Sequence, residues 1–368
     1  MRAPRLILLV AGDPSGDVHA ASLIRALKRQ SPGTAVAAVG GRHCREVADE
    51  FIEDLASRGV TGFLEPVLQL AFLRTLRGRL EAFMAARRPD AVVCVDYYGF
   101  NRRVLEAAAR TGVPAFYFIS PQIWASRPGR IGVLKRHVRE MLVIFPFEER
   151  LYRDAGVPVT FVGHPLLDTV PEPTPRSTAD GALLVGLLPG SRTSELRRHL
   201  PVLFEAFERL RATRPSLRGL LFASASHPEA AYGALPAGVT LVKDEGYRLR
   251  STLDLAICSS GTATLENALL GVPMVVIYKL SWPTYLIARA IVSVKQIAMA
   301  NVLAGRPIVP ELIQHEATGK RVAGEAAQIL DDPARAARMR DALLALRGTL
   351  GERGAADRAA GVLLRHLS

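Results

Sequence analysis

Short, unbroken apolar runs recur through this chain, each followed by an amphipathic stretch, and that rhythm narrows its fold more than any other feature. In the first half the runs are Arg5–Ala11, Ala35–Gly40, Ala91–Asp96, Ala115–Ser120 and Met141–Phe145, with segments such as Val18–Arg29 and Phe100–Arg110 between them. A strand that is apolar at every position is covered on both faces, and such strands joined through helices form a parallel sheet. The rhythm pauses at Pro171-Glu-Pro-Thr-Pro-Arg-Ser177, a polar proline-rich stretch of linker type. It restarts with Leu183–Leu188, Gly219–Ser224, Thr240–Lys243, Leu255–Ser259 and Met274–Tyr278, and the residues after Pro333 are helical by pattern. The expected fold class is therefore α/β, with two doubly wound domains facing a cleft and divided at about residue 170.

Composition agrees and excludes several classes. A chain of 368 residues, 49% hydrophobic and 22% charged, is globular and long enough for two domains. The formal charge of +12, from 47 basic against 35 acidic residues, favours an anionic partner: nucleic acid, acidic lipid or a phosphorylated small molecule. An arginine-rich codon usage is the competing cause of that excess. No nucleic-acid motif is present, and the basic residues are not interleaved with stacking aromatics, so nucleic acid is not expected. Three dispersed cysteines, Cys44, Cys94 and Cys258, fit a reducing compartment, and no metal-ligand spacing links His19, His43, His137 and His199. Leu6–Ala11 is too short for a signal sequence, and no run of 18 apolar residues occurs, so a cytoplasmic, soluble or peripheral protein is expected.

In open α/β sheets ligands bind beyond the carboxyl ends of the strands, and the informative residues of this chain follow its apolar runs. After the first run comes Ala11-Gly-Asp-Pro-Ser-Gly-Asp17, where Ser15, Gly16 and Asp17 could meet an anion at a helix start, or simply make a capped turn. Neither a GxGxxG spacing nor an acidic end to the second strand supports a dinucleotide. Leu187-Leu-Pro-Gly-Ser-Arg-Thr-Ser-Glu195 repeats the arrangement, with Gly190, Ser191 and the forked cation of Arg192 suited to a diphosphate beside free helical N–H groups. It is not a Walker A loop. In Cys258-Ser-Ser-Gly-Thr-Ala-Thr-Leu-Glu266, Ser260, Gly261 and Thr262 lead into a helix, and Glu266 could accept both hydroxyls of a ribose. Asp96 ends its strand as a candidate general base, with a helix N-cap as the equal alternative. Between Pro66 and Met84, apolar residues including Leu70, Phe72 and Leu73 alternate with arginines over more of the helix circumference than one core stripe needs. That pattern suits a membrane-touching segment or a helix buried on two sides.

Taken in order, seven segments resemble the lipid-A-disaccharide synthases, inverting glycosyltransferases of the glycosyltransferase-B fold. They are Ala11-Gly-Asp-Pro-Ser-Gly-Asp17, Ser120-Pro-Gln-Ile-Trp-Ala125, Phe145-Pro-Phe-Glu148, Val162-Gly-His-Pro165, Leu188-Pro-Gly-Ser-Arg192, Ser260-Gly-Thr-Ala-Thr-Leu-Glu266 and Asn301-Val-Leu-Ala-Gly-Arg306. The resemblance implies two Rossmann-like domains: an acceptor and membrane-side domain over 1–170, and a UDP-sugar domain over 171–344. It implies helices of about 345–368 packing back on the first. It implies transfer of 2,3-diacylglucosamine from its UDP donor to 2,3-diacylglucosamine 1-phosphate, without a cofactor or metal, at the cytoplasmic face of the inner membrane. Asp96 then matches the base, Arg192 the diphosphate-binding arginine, and Glu266 and Asn301 the nucleotide side. A homodimer with swapped C-terminal domains is an open arrangement in this family. Asp13-Pro14, Tyr97-Tyr98 and Trp124-Ala-Ser126 depart from its usual pattern and bear on acceptor or acyl preference. The alternatives are another UDP-sugar enzyme of the same fold and a non-catalytic membrane-surface protein.

Overall fold

The computed structural model describes residues 5–57, 65–126, 128–173, 183–224, 227–244, 246–282, 285 and 296–368. The chain divides into two units, Met1–Pro165 with Leu350–Ser368, and Leu166–Thr349.

The first unit is built on seven strands: β1 (Leu6–Ala11), β2 (Ala35–Gly40), β3 (Glu50–Asp54), β4 (Ala91–Val95), β5 (Ala115–Phe118), β6 (Glu140–Val143) and β7 (Val159–Phe161). They pair in parallel in the order β3-β2-β1-β4-β5-β6-β7. Ile7 to Ala11 and Ala91 to Val95 are fully buried, as two-sided coverage requires. β3 and β7 escaped the sequence reading because each is a short, half-buried edge strand without a continuous apolar run.

Four of its helices matter for the site: α1 (Pro14–Gln30), α2 (Arg42–Val47), α3 (Glu65–Arg87) and α4 (Tyr98–Thr111). α1 starts at Asp13, whose carboxylate caps it, and buries Ala20, Leu23, Ile24 and Leu27 on one face. α3 covers the sheet through Leu76, Leu80 and Met84, all essentially inaccessible. The C-terminal helix Ala355–His366 lies against α1, where Asp357 takes Arg29 at 2.7 Å through its carboxylate and Gln30 at 2.8 Å through its carbonyl.

The second unit holds six parallel strands: β8 (Leu184–Leu188), β9 (Arg218–Phe222), β10 (Val239–Val242), β11 (Leu255–Ser259), β12 (Met274–Tyr278) and β13 (Glu311–Ile313). Their order is β10-β9-β8-β11-β12-β13. β13, three residues at an edge, is again the strand that periodicity missed.

Both orders reverse once, between β1 and β4 in the first unit and between β8 and β11 in the second. At such a point the connections leave in opposite directions, and a crevice opens beyond the strand ends. The expected motifs after β1, β4, β8 and β11 therefore stand at the two places where each sheet can admit a ligand.

Candidate active site

At the switch point of the first unit, Asp96 and Tyr97 are consecutive residues in the left-handed region, with φ of 45° and 41°. Each such non-glycine conformation costs about 1–3 kcal/mol and persists only where the surroundings fix it. Here they do. The Asp96 N–H donates to the Phe118 carbonyl at 3.1 Å, and the Asp96 carbonyl accepts from Asn101 Nδ2 at 2.8 Å and from the Tyr117 hydroxyl. The Tyr97 ring lies on Gly12, where a Cβ would fall 2.0 Å from Tyr97 Cδ1. Only glycine fits there.

The Asp96 carboxylate accepts the Tyr97 N–H at 2.8 Å. Helix α4 has no side-chain cap, so the capping alternative for Asp96 is not what this geometry holds. Burial, and then the nearby charge of Asp13, push the Asp96 pKa up to about 7, against the opposing Tyr97 N–H. Asp13 itself accepts the Ser15 hydroxyl at 2.6 Å and the Gly16 N–H at 3.3 Å. Ser15 and Gly16 thus shape the turn that sets one carboxylate near another, an arrangement suited to proton transfer near neutral pH.

Asp17 is a correction. It was expected to face a ligand, but it is buried and accepts the N–H groups of Gly41, His43 and Cys44 at 2.7, 3.0 and 3.0 Å. Helix α2 starts on Gly41, which has no side chain to cap it, and Asp17 supplies the missing acceptor. Burial raises its pKa, yet the Cys44 thiol and these three N–H groups together hold it below the ordinary carboxylate value.

Glu148, in the helix α5 (Pro146–Asp154), is a second buried acid of this unit. Burial pushes its pKa up to about 8, opposed by the Phe145 N–H at 3.3 Å and by Ser120. His164 is buried beside the Phe145 ring, 5.0 Å between centroids, and burial drives its pKa down to about 3, leaving a neutral imidazole.

In the second unit, helix α6 (Thr193–Thr213) begins directly after β8, and its residue Glu195 organises the loop. Glu195 accepts the N–H groups of Ser191 at 3.1 Å and Arg192 at 3.2 Å on one oxygen, and Arg192 Nη1 at 2.7 Å on the other. Gly190, at φ 105°, leaves the space this needs, since a Cβ there would lie 2.3 Å from Glu195 Oε2. The amides of Ser191 and Arg192 are therefore spent inside the loop, while among the described residues no protein acceptor meets the N–H groups of Thr193 and Ser194 at the helix start. The Arg192 side chain remains 74% exposed.

Across the same switch point, helix α7 (Thr262–Leu269) starts at Gly261 without a side-chain cap. Among the described residues no protein acceptor meets the N–H groups of Gly261, Thr262 and Ala263, so that end presents open donors and the positive end of its dipole. Ser260 does not join them, because its hydroxyl donates to the Ile297 carbonyl at 2.9 Å. Glu266 stands one turn along, accepting the Tyr247 hydroxyl at 2.9 Å and pairing with Arg250. Arg250 in turn lies over the rings of Phe222 and Tyr247, 5.3 Å from each centroid. Neither Tyr247 nor Arg250 carried a motif that could have revealed it.

Asn301 is the second correction. Its side chain is buried, donating to the Val309 carbonyl at 2.9 Å and to Glu311 at 2.7 Å, and accepting from Ile308 and Val309 at 2.7 and 2.9 Å. Every hydrogen-bonding position it has toward that loop is filled, so it braces the approach to β13 instead of offering a free amide. Of the apolar trio on α3, Leu70 is 43% exposed, while Phe72 and Leu73 pack in part against the core of the first unit. No described helix is long and apolar enough to cross a membrane. Among the described residues no group of three His, Cys, Asp or Glu side chains could hold a metal ion.

The comparisons with known proteins agree with one another. A family model described as Lipid-A-disaccharide synthetase matches residues 7–359. The lipid-A-disaccharide synthase of Syntrophus aciditrophicus is 40% identical over 372 residues, covering 98% of this chain and 97% of its own. That of Myxococcus xanthus is 39% identical over 379 residues, covering 100% and 99%. Among solved structures, a putative UDP-N-acetylglucosamine 2-epimerase from Listeria monocytogenes superposes with a TM-score of 0.68 at 13% identity, covering 100% of this chain and 97% of that one. The calicheamicin glycosyltransferase CalG4 does so at 0.64 and 17%, covering 100% and 99%. At such identities these structures speak for the two-domain fold alone.

Proposed function

This chain belongs to the lipid-A-disaccharide synthase family, and we propose that it moves a 2,3-diacylglucosamine unit from UDP to 2,3-diacylglucosamine 1-phosphate. As a member of that family it is a hexosyltransferase acting on a sugar nucleotide and a lipid phosphate. The products are the β-1,6-linked disaccharide 1-phosphate and UDP. The observation that carries the catalytic assignment is Asp96, a carboxylate at a switch point whose pKa burial and Asp13 push up to about 7.

In this reading Asp96 takes the proton of the acceptor's 6-hydroxyl as that oxygen attacks the anomeric carbon and the bond to UDP breaks with inversion. The departing diphosphate gathers charge. Arg192, on the loop shaped by Gly190 and Ser191, and the open N–H groups of Gly261 and Thr262 neutralise it. Ser260 anchors the start of that cradle through Ile297. Glu266, oriented by Tyr247 and Arg250, accepts the ribose hydroxyls. The test is direct: the purified chain with both lipid substrates should yield the disaccharide 1-phosphate and UDP in equal amounts by mass spectrometry. Consumption of the UDP donor without disaccharide would replace this reading with another UDP-sugar activity.

The substrates carry acyl chains, so we place the enzyme at the cytoplasmic face of the inner membrane, with Leu70, the exposed member of the α3 trio, as its contact. Leu70→Ser should weaken binding to anionic phospholipid vesicles by about ten- to a hundredfold, the equivalent of burying one leucine, about 1.5–3 kcal/mol. The melting temperature should hardly move. Leu73→Ser, which reaches the core, should lower it. Unchanged vesicle affinity for Leu70→Ser would remove α3 from the membrane contact.

A further inference from the structure

The mechanism leaves unused a fully buried histidine beneath the second switch point. His199 sits on α6, two turns past Arg192, and is inaccessible to solvent. Its Nδ1 lies 2.7 Å from the Pro189 carbonyl, and its Nε2 lies 3.0 Å from the Lys279 N–H. A carbonyl can only accept and an amide N–H can only donate. The proton is therefore on Nδ1, Nε2 is bare, and the ring is neutral. Burial also disfavours the charged ring, which would set an N–H against the N–H of Lys279.

What the ring joins is informative. Pro189 follows β8 and Lys279 follows β12, and in the sheet β11 runs between those two strands. His199 thus ties the chain on either side of the strand whose end carries Ser260, Gly261 and Thr262. A second histidine, His227, meets the Ser191 carbonyl at 2.8 Å, so the loop before Arg192 is gripped at two of its carbonyls as well as by Glu195. On the far side Gln314, buried in the left-handed region at φ 56°, bonds both backbone groups of Leu280 at 3.0 Å and fixes the segment that His199 holds.

We propose that His199 is a positioning residue for the sugar-nucleotide donor, holding the Pro189–Arg192 loop in register with the end of β12 so that Arg192 and the start of α7 meet the same diphosphate. The inference rests on the reading that this loop binds the diphosphate. It contacts no substrate and moves no proton. Its effect falls on donor binding through geometry, and a neutral group with one donor and one acceptor at similar reach can replace it.

UDP binding to the purified full chain by calorimetry tests this, with melting temperature as the companion. His199→Leu should weaken UDP at least tenfold and raise the donor KM in parallel, while the pH at which kcat falls on the acid side stays put, since Asp96 is untouched. His199→Gln, which can donate from its amide nitrogen and accept on its oxygen, should recover most of that loss. Should the leucine variant fail to fold, the glutamine variant decides: a folded His199→Gln that has lost UDP binding as fully as Arg192→Ala does would overturn the proposal. Wild-type UDP affinity in a folded His199→Leu would overturn it too. Arg192→Ala separates the two levels, because unchanged UDP affinity in that variant would remove the diphosphate reading itself.

Discussion

Asp96→Asn should lower kcat by about 10²–10⁴-fold while leaving UDP affinity within about twofold, because it keeps the size of the side chain and removes only its capacity to take a proton. The pH dependence follows from the same group. The working form is the carboxylate, so kcat/KM should rise through an acid limb near the Asp96 pKa of about 7 and fall away below it. Asp13 adds to that upward shift, so Asp13→Asn should move the limb toward lower pH. Stability should move the other way from activity. The folded pKa lies above the ordinary carboxylate value, so folding favours the protonated acid, and that contribution is complete in acid and lost as pH rises through about 7. Asparagine never ionises. Asp96→Asn should therefore melt higher than the parent at pH 8, with the difference shrinking as pH falls below about 7 and gone only below about pH 4, the ordinary carboxylate range. A variant that kept most of its turnover would sink the assignment and turn attention to Glu148, the other buried acid of this unit with a raised pKa.

Much of this was legible in the sequence, and what was not has physical reasons. Strands apolar along their whole length announced themselves, whereas β3, β7 and β13 lie at sheet edges, are short and are only partly covered. Glycine-rich turns after strands marked both switch points, because a turn that lets a ligand approach the backbone needs small residues. Residue type and position did not reveal where each polar group points. Asp17 and Asn301 stand in the right segments, yet their side chains satisfy buried backbone groups of α2 and of the Ile308–Val309 turn. Arg250, Tyr247 and His199 act from positions with no motif of their own, and only the packing of distant segments brings them to Glu266, Pro189 and Lys279. The left-handed pair Asp96–Tyr97 was equally invisible, since neither residue type favours positive φ strongly enough to declare it.

Arg192→Ala should remove about 2–4 kcal/mol of transition-state stabilisation, about 30- to 1000-fold in kcat/KM, the scale of deleting one preorganised donor to a developing charge. The fold should tolerate it. The guanidinium side of the Arg192–Glu195 pair is 74% exposed, and exposed pairs contribute about 0–1 kcal/mol. Glu195 would still accept the N–H groups of residues 191 and 192, so the loop keeps its shape and the melting temperature should shift little. Glu195→Ala is the contrasting variant. It leaves the cation in place but frees two amides and lets the loop relax, so UDP affinity and melting temperature should fall together. Arg192→Lys separates charge from shape: a point charge can attract the diphosphate but cannot span two of its oxygens. Its UDP affinity should recover further than its kcat, because the fork is needed most when the bond to the sugar breaks. Equal turnover by the alanine variant and the parent at saturating donor would leave the leaving group to the α7 amides alone and take Arg192 out of the chemistry.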